Sequence, residues 1–344
     1  MNVLRATLVD IAREAGVSTA TVDRVLNRRP GVKDRTRNRV FDVAARLGYI
    51  DDSTDPLKPD MSAQALVEMD FVLPSGTNTF ILDLARHLES CALSRPDVRA
   101  NIHRIEGFNP DELAAKLAEL SGRTQGVGMI AIDHPTVREA IRSLSAAGTS
   151  VLTLVSDISN VPRVGYIGID NRAAGRLAGY LLGRLLQGRP AKVALLAGSL
   201  SYRGHEEREM GFRHILSEAY PKLSIVEMRE VRDDLERAYH EVKTLLVRHP
   251  DIAGIYNIGA GNRGVARALE ESRRSNDVVF IGHELTDYSR RFLLSGTMDV
   301  VIDQNPRVEA REAIDRLSRA IRGEIMPASP HIRVQAIFRE NIPE

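Results

Sequence analysis

The stretch GVSTATVDRVLNRRPGV, Gly16 to Val32, gathers hydroxyl and guanidinium side chains in a pattern suited to nucleic acid. At helical spacing, Val22, Val25 and Leu26 fall on one side, while Thr19, Ala20, Asp23 and Arg24 face outward near the start of the turn. A helix N-terminus favours phosphate, and short side chains there reach into a major groove. Thr19 and Ala20 can meet base edges or a thymine methyl, and Arg24 can reach guanine acceptors or a phosphate. Asn27, Lys33 and Thr36 are placed to hold the DNA backbone. Asp23 repels phosphate unless a basic neighbour such as Arg24 or Arg28 offsets it.

Three short helices must position these groups. Leu8, Ile11, Ala12 and Ala15 share a face, and Gly16 is a natural stop. Ser18 is a suitable N-cap for the second helix and Asp34 for a third. In that third helix Val40, Val43, Ala44 and Leu47 point inward, and Gly48 ends the run. Helix, glycine turn, helix, loop, helix is a helix-turn-helix head. Charge agrees with this reading. Residues 1–50 hold ten Lys/Arg and five Asp/Glu, so they carry +5, and the remaining 294 residues carry −4 of an overall +1.

The string TLVDIAREAGVSTATVDRVLNRRPGVKDRTRNRVFDVAARLGY, Thr7 to Tyr49, resembles the head of the LacI/GalR family of bacterial repressors, nearly without gaps. The resemblance implies base readout by Thr19, Ala20 and Arg24. It implies phosphate contacts from Thr7, Ser18, Thr21, Asn27 and Thr36. The following stretch departs from the family. Where a DNA-kinking hinge helix is usual, this chain reads IDDSTDPLKPDMSA, with Asp51, Asp52, Asp55 and Asp60 repelled by phosphate and Pro56 and Pro59 opposing a helix. Residues 51–65 read as a linker between a head at 1–50 and a body at 66–344.

Through the body, apolar strand patterns alternate with amphipathic helix patterns, beginning LVEMDFVLP then TFILDLARHLESCAL. The alternation restarts at AKVALLAG after RVGYIGIDNRAAGRLAGYLLGRLL. Such alternation predicts parallel sheets with helices on both faces, and two runs predict two Rossmann-like lobes with a ligand cleft at the carboxyl ends of their strands. The expected class is α/β: a three-helix head plus two lobes.

On GYIGIDNRAAGRLAG, REMGF, VVFIGHE and VIDQNP, the body resembles the periplasmic sugar-binding type of effector domain found behind LacI-type heads, the periplasmic-binding-protein type I fold. The resemblance implies an N-lobe of about 66–169 and 305–329 and a C-lobe of about 170–304 and 330–344, with hinge crossings near Gly168–Asn171, Asp303–Asn305 and Pro327–His331. By position it makes Asn78 and Phe80, Ser156 and Asp157, Arg208, Asp233, Asn257, Glu284 and Gln304 the effector-binding residues. Carboxylates and amides converging with one arginine suit a sugar or polyol, because each hydroxyl both donates and accepts.

Other chemistries are weaker. GAGNRG, Gly259 to Gly264, is a literal G-x-G-x-x-G with Glu284 some twenty residues on, which a NAD-binding enzyme would use. It stands far from the first strand–helix unit, and no hydride-transfer partner is apparent. A transport binding protein needs export, and MNVLRATLVDIAREAG lacks the apolar core and cleavage site of a signal peptide. One cysteine, Cys91, and no Cys/His cluster give neither a disulfide nor a metal site, and no G-x-S-x-G elbow offers a nucleophile. The expectation is a cytoplasmic, homodimeric transcription regulator that binds operator DNA and a small effector, without catalysis, metal or cofactor.

Overall fold

The computed structural model describes residues 7–26, 32–47, 49, 65–328 and 330–343. The chain divides into two compact units, residues 1–65 and 66–344.

In the first unit, α1 (Leu8–Ala15), α2 (Thr19–Leu26) and α3 (Asp34–Arg46) bury Ile11, Ala12, Ala15, Val22, Val25, Val40, Val43 and Ala44 against one another. Thr7 caps α1: its Oγ1 accepts from the Asp10 amide, while the Asp10 carboxylate accepts from the Thr7 amide. The helix stops at Gly16, whose φ of 64° is the left-handed conformation that a glycine adopts without steric cost. Ser18 Oγ accepts from the Thr21 amide and so caps α2. The third cap differs from expectation. Asp34 is already inside α3, and the carbonyl of Lys33 accepts from the Thr36 and Arg37 amides, so Lys33 holds the cap position.

The second unit holds two sheets. The first runs β2-β1-β3-β4-β5, all parallel, from β1 (Val67–Pro74), β2 (Val98–Ile105), β3 (Gly126–Met129), β4 (Ser150–Leu154) and β5 (Gly165–Ile167). The second runs β11-β10-β9-β8-β6-β7. It is formed by β6 (Ala191–Ala197), β7 (Leu223–Glu230), β8 (Ile252–Asn257), β9 (Val279–His283), β10 (Val300–Asp303) and β11 (Gln335–Ile337). Only β11 is antiparallel. Strands buried on both faces explain the continuous apolar runs FVL and ALLA.

Helices α4 (Thr79–Leu93), α5 (Pro110–Leu120) and α6 (Pro135–Ala146) cover the first sheet, together with α12 (Pro306–Ile321), which returns from the second lobe to bury Ala310, Ala313, Ile314 and Leu317 in the first core. Helices α7 (Asn171–Leu185), α8 (Arg203–Ala219), α9 (Leu235–Arg248), α10 (Asn262–Glu271) and α11 (Asp287–Ser295) clothe the second, with a core on each face. The chain therefore changes lobe after β5, after β10 and after α12. Among the described residues, no helix is long and apolar enough to cross a membrane.

One packing contact fixes the later chemistry. Helix α7 carries glycines at 175, 179 and 183, and α8 lies directly upon them. A Cβ added at Gly175 would sit 1.9 Å from the carbonyl oxygen of Arg208, and one at Gly211 would sit 2.1 Å from that of Arg172. Two backbones at this distance leave no room for a methyl group. Gly175→Ala therefore pushes α8 outward: about 2 kcal/mol of stability is expected to be lost in chemical denaturation, the range of core overpacking. An unchanged midpoint would show that the helices are not in this contact.

Candidate functional site

On the head, Thr19, Ala20 and Arg24 are exposed on α2, with its apolar side turned to the core. Lys33 is exposed, and Thr21 and Thr36 are half-buried. The hydroxyls of Ser18 and Thr21 are 2.8 Å apart, and that of Thr7 donates to Asp10 at 2.6 Å. That hydrogen bond holds the Asp10 carboxyl below its usual range. Ser18, Thr21 and Thr7 thus already hold one another or a neighbour, whereas Thr19 and Arg24 stand outward on the helix. Asn27 and, of the linker expected over 51–65, residues 51–64 lie outside the described residues.

In the body, the carboxyl ends of β1 to β4 face those of β6 to β10 across a cavity of about 270 Å³. Asn78, Phe80, Ser156, Arg208, Asp233, Glu284 and Gln304 all line it. Their positions follow from local structure. Asn78 caps α4, accepting from the Phe80 amide, and Phe80 is buried at the start of that helix. Ser156 follows β4, and its Oγ accepts from the Gly204 amide at 3.2 Å. Asp233 sits in a left-handed turn, φ 56°, before α9. Its carboxylate accepts from the Ala260 amide at 2.9 Å and from Asn78 Nδ2 at 3.1 Å, so this last bond crosses the cleft.

Arg208 lies in the second turn of α8, pressed against α7, and is 3% exposed. Its Nε donates to Asn171 Oδ1 at 2.7 Å and its Nη1 to the Ile258 carbonyl at 2.9 Å. It makes no ion pair among the described residues. The Glu284 carboxyl is near enough to feel Arg208, yet burial, reinforced by the charge of Asp303, pushes it up to about 8. Gln304 Nε2 donates to Glu284 Oε1. That leaves Glu284 Oε2 and Gln304 Oε1 buried without a protein partner. Behind them Glu309, on α12, is fully buried with neither carboxyl oxygen partnered, and its pKa lies well above the usual range for the same reason.

Two expected cleft residues do not reach the cavity. Asp157 turns away: its carboxylate accepts from Thr153 Oγ1 at 2.7 Å and pairs with Arg163 at 2.6 Å. Asn257 ends β8 inside the core, where its Nδ2 donates to the carbonyls of Gly259 and Ala260 and to Asn262 Oδ1. It builds the turn at the wall and does not form the wall. That turn contains the G-x-G-x-x-G string. Its glycines serve close approach: a Cβ at Gly264 would meet the Leu235 carbonyl at 2.1 Å, and one at Gly259 would meet Asp233 Oδ1 at 2.6 Å. The Ala260 amide is already taken by a carboxylate, where a pyrophosphate would need it.

The residues missed from sequence are those whose role exists only once the lobes meet. Tyr202 leaves the second lobe to pack edge-on against Phe108, ring centroids 5.2 Å apart, and buries within the first lobe's core. His205 and Arg232 line the cavity as well. Asn171, the first residue of α7, holds Arg208 from one end of the hinge. Among the described residues no cluster of His, Cys, Asp and Glu could hold a metal ion.

Residues 71–325 match the family model of the periplasmic binding protein domain, and residues 7–52 that of bacterial regulatory proteins of the lacI family. The ribose operon repressor of Bacillus subtilis is 28% identical over 295 residues, covering 81% of each chain. The lactose operon repressor of Escherichia coli is 25% identical over 343 residues, covering 97% of this chain and 90% of its own. Among solved structures, a glucose-galactose binding protein from Geobacillus stearothermophilus superposes with a TM-score of 0.75 at 22% identity, covering 82% of this chain and all of the other.

The buried carboxyls give the fold a pH signature. An acid raised in the native state stabilises it fully below the unfolded pKa, near 4.5 for Glu, and loses that contribution as pH climbs to the folded value. Buried His205 and His283 are shifted down, which acts with the opposite sign but ends near 6.5. Between pH 6.5 and about 8 the carboxyls dominate, so stability falls as pH rises. Glu284→Gln is expected to reduce that slope by up to about 1.4 kcal/mol per pH unit. Chemical denaturation at a series of pH values measures it, and parallel curves for variant and parent would contradict the environment described.

Proposed function

The chain belongs to the periplasmic binding protein domain family and joins that domain to the head of the lacI family of bacterial regulatory proteins, and we propose that it is an operator-binding repressor released or engaged by a sugar or polyol. The observation that carries the effector class is the convergence of Asn78, Ser156, Asp233, Glu284 and Gln304 around the buried guanidinium of Arg208. Hydroxyls fit such a set, because each supplies both a donor and an acceptor to neighbours of mixed type. The relatives named for ribose and lactose operons support the same class. A cytoplasmic location goes with a head whose target is the chromosome.

The proposed working form is a homodimer. One head offers few base contacts, and two heads on a two-fold axis read a pseudo-palindromic site with far greater discrimination. Thr19, Ala20 and Arg24 read bases, and Thr7, Ser18, Thr21, Asn27, Lys33 and Thr36 hold phosphates. The effector bridges the two lobes and changes the separation of the heads. That requires it to bind the two arrangements with different affinity.

Operator fragments can be recovered by selection from genomic DNA and titrated at near-physiological salt. Arg24→Ala is expected to weaken specific binding by roughly 1–3 kcal/mol, the worth of a good base contact. Undiminished affinity would remove Arg24 from the interface. A thermal-shift panel of pentoses, hexoses and polyols identifies the effector, since a ligand that prefers the native state raises its melting temperature. With that ligand, Arg208→Ala is expected to abolish the response while leaving DNA binding in its absence intact. A surviving response would move the effector site elsewhere.

A further inference from the structure

The cavity around Arg208 has a neighbour. A second chamber of about 320 Å³ adjoins it. Asn78, Phe80, Asp233, Ala260 and Glu284 line both, so the Asn78–Asp233 bond across the cleft marks the partition between them. The inner chamber is near the lower limit of small-molecule sites, roughly 300 Å³, and suits one sugar ring. The outer one is no smaller.

The outer chamber carries ordered polar groups on a largely apolar wall. The guanidinium of Arg263 lies 3.9 Å over the ring of Tyr288, and both line the chamber. His283 also lines it, is 1% exposed and has Nδ1 without a partner. Its Nε2 is engaged by Tyr256 Oη at 2.8 Å, so the ring is held in place. Burial, with Arg208 and His205 nearby, keeps this histidine neutral, and its ring backs the chamber wall from the core side. Asp233, Asp234 and Glu236 stand against one arginine, Arg263, on these walls. That balance disfavours a phosphate or carboxylate substituent and favours a neutral, hydroxylated one.

Building on the sugar reading of the cleft, we infer that the effector extends beyond one ring: a disaccharide or glycoside whose first unit sits by Arg208 and whose second is recognised by Arg263 and Tyr288. The linkage passes beside Asn78 and Asp233, which would sense both halves. Arg263 and Tyr288 then determine chain length, and the Arg208 chamber determines the identity of the first sugar.

Isothermal titration of the full-length protein tests this with glucose, galactose and xylose set against maltose, cellobiose, lactose and xylobiose, and with glucose 6-phosphate as an anionic probe. At least one disaccharide is expected to bind about tenfold or more tightly than either of its components, a gain of about 1.4 kcal/mol. Arg263→Ala, at an exposed position, and Tyr288→Ala are each expected to reduce that advantage to about threefold or less, while monosaccharide affinity stays within about twofold. Monosaccharides that bind as well as every disaccharide, or an advantage that survives both substitutions, overturn the second subsite and leave the sugar reading standing. Glucose 6-phosphate binding more tightly than glucose and every disaccharide overturns the assignment of a neutral second unit. Silence of the whole panel overturns the sugar reading and the second subsite together.

Discussion

The body of this protein is organised around one buried positive charge. Arg208 is held by an amide oxygen at the start of α7 and a backbone carbonyl after β8, both neutral acceptors. A guanidinium removed from water without a carboxylate beside it is costly. Part of that cost is met by the two hydrogen bonds themselves. Glu284 and Glu309 feel its charge, and both are raised because burial opposes their ionisation more than the arginine favours it; burial raises Asp303 as well. A carboxyl kept neutral can donate as well as accept, so the same arrangement that tolerates Arg208 gives the cleft its mixed hydrogen-bonding character.

That charge can sit there only because the backbone allows it. Helices α7 and α8 touch through glycine, which brings the Arg208 main chain against Gly175 and its side chain within reach of Asn171. Asn171 in turn donates to the Val155 carbonyl and to Tyr166 Oη, both contributed by the first lobe. A single hydrogen-bonded line therefore runs from the first lobe through the hinge residue to the arginine in the cleft. Anything that draws Arg208 forward pulls on the point where the chain changes lobe, which is the mechanical link that an effector-controlled domain needs.

Much of this was legible in the sequence, for identifiable reasons. Alternating apolar runs and 3.6-residue periodicity reflect burial, so the two sheets and their helices could be read directly, and the head followed from Ile11, Val22 and Val40 at helical spacing. Strand ends could be located, which is why polar residues placed after strands, such as Ser156 and Glu284, reach the cavity. What could not be read is direction within a turn. Asp157 and Asn257 occupy the same kind of position, yet the first is drawn off by Arg163 and the second is consumed by its own turn. Short β11 escaped notice because three residues carry no period, and Tyr202 because a tyrosine after a strand gives no sign that it will bury in the other lobe. Glu309 reads as an ordinary helix glutamate, and only the crossing of α12 between lobes makes it buried.

The source of a switch can be located in the same groups. Contacts across the cleft already hold the lobes together: Asn78 with Asp233, Ser156 with the Gly204 amide, and the Asp133 amide with the Ser201 carbonyl. Closure is thus favoured by bonds that owe nothing to an effector. Against it stand Glu284 Oε2 and Gln304 Oε1, which no protein group reaches. In an open cleft water satisfies both; in a closed one each costs about 1–3 kcal/mol unless something supplies a partner. In the proposed regulator a hydroxylated ligand would remove that cost only in the closed arrangement, so its affinity would differ between the two states. One or two such groups suffice for the 1–3 kcal/mol by which allosteric sites are ordinarily coupled. Specificity and control would then have one origin: a molecule that filled the chamber without meeting those two oxygens would bind both states alike and move nothing.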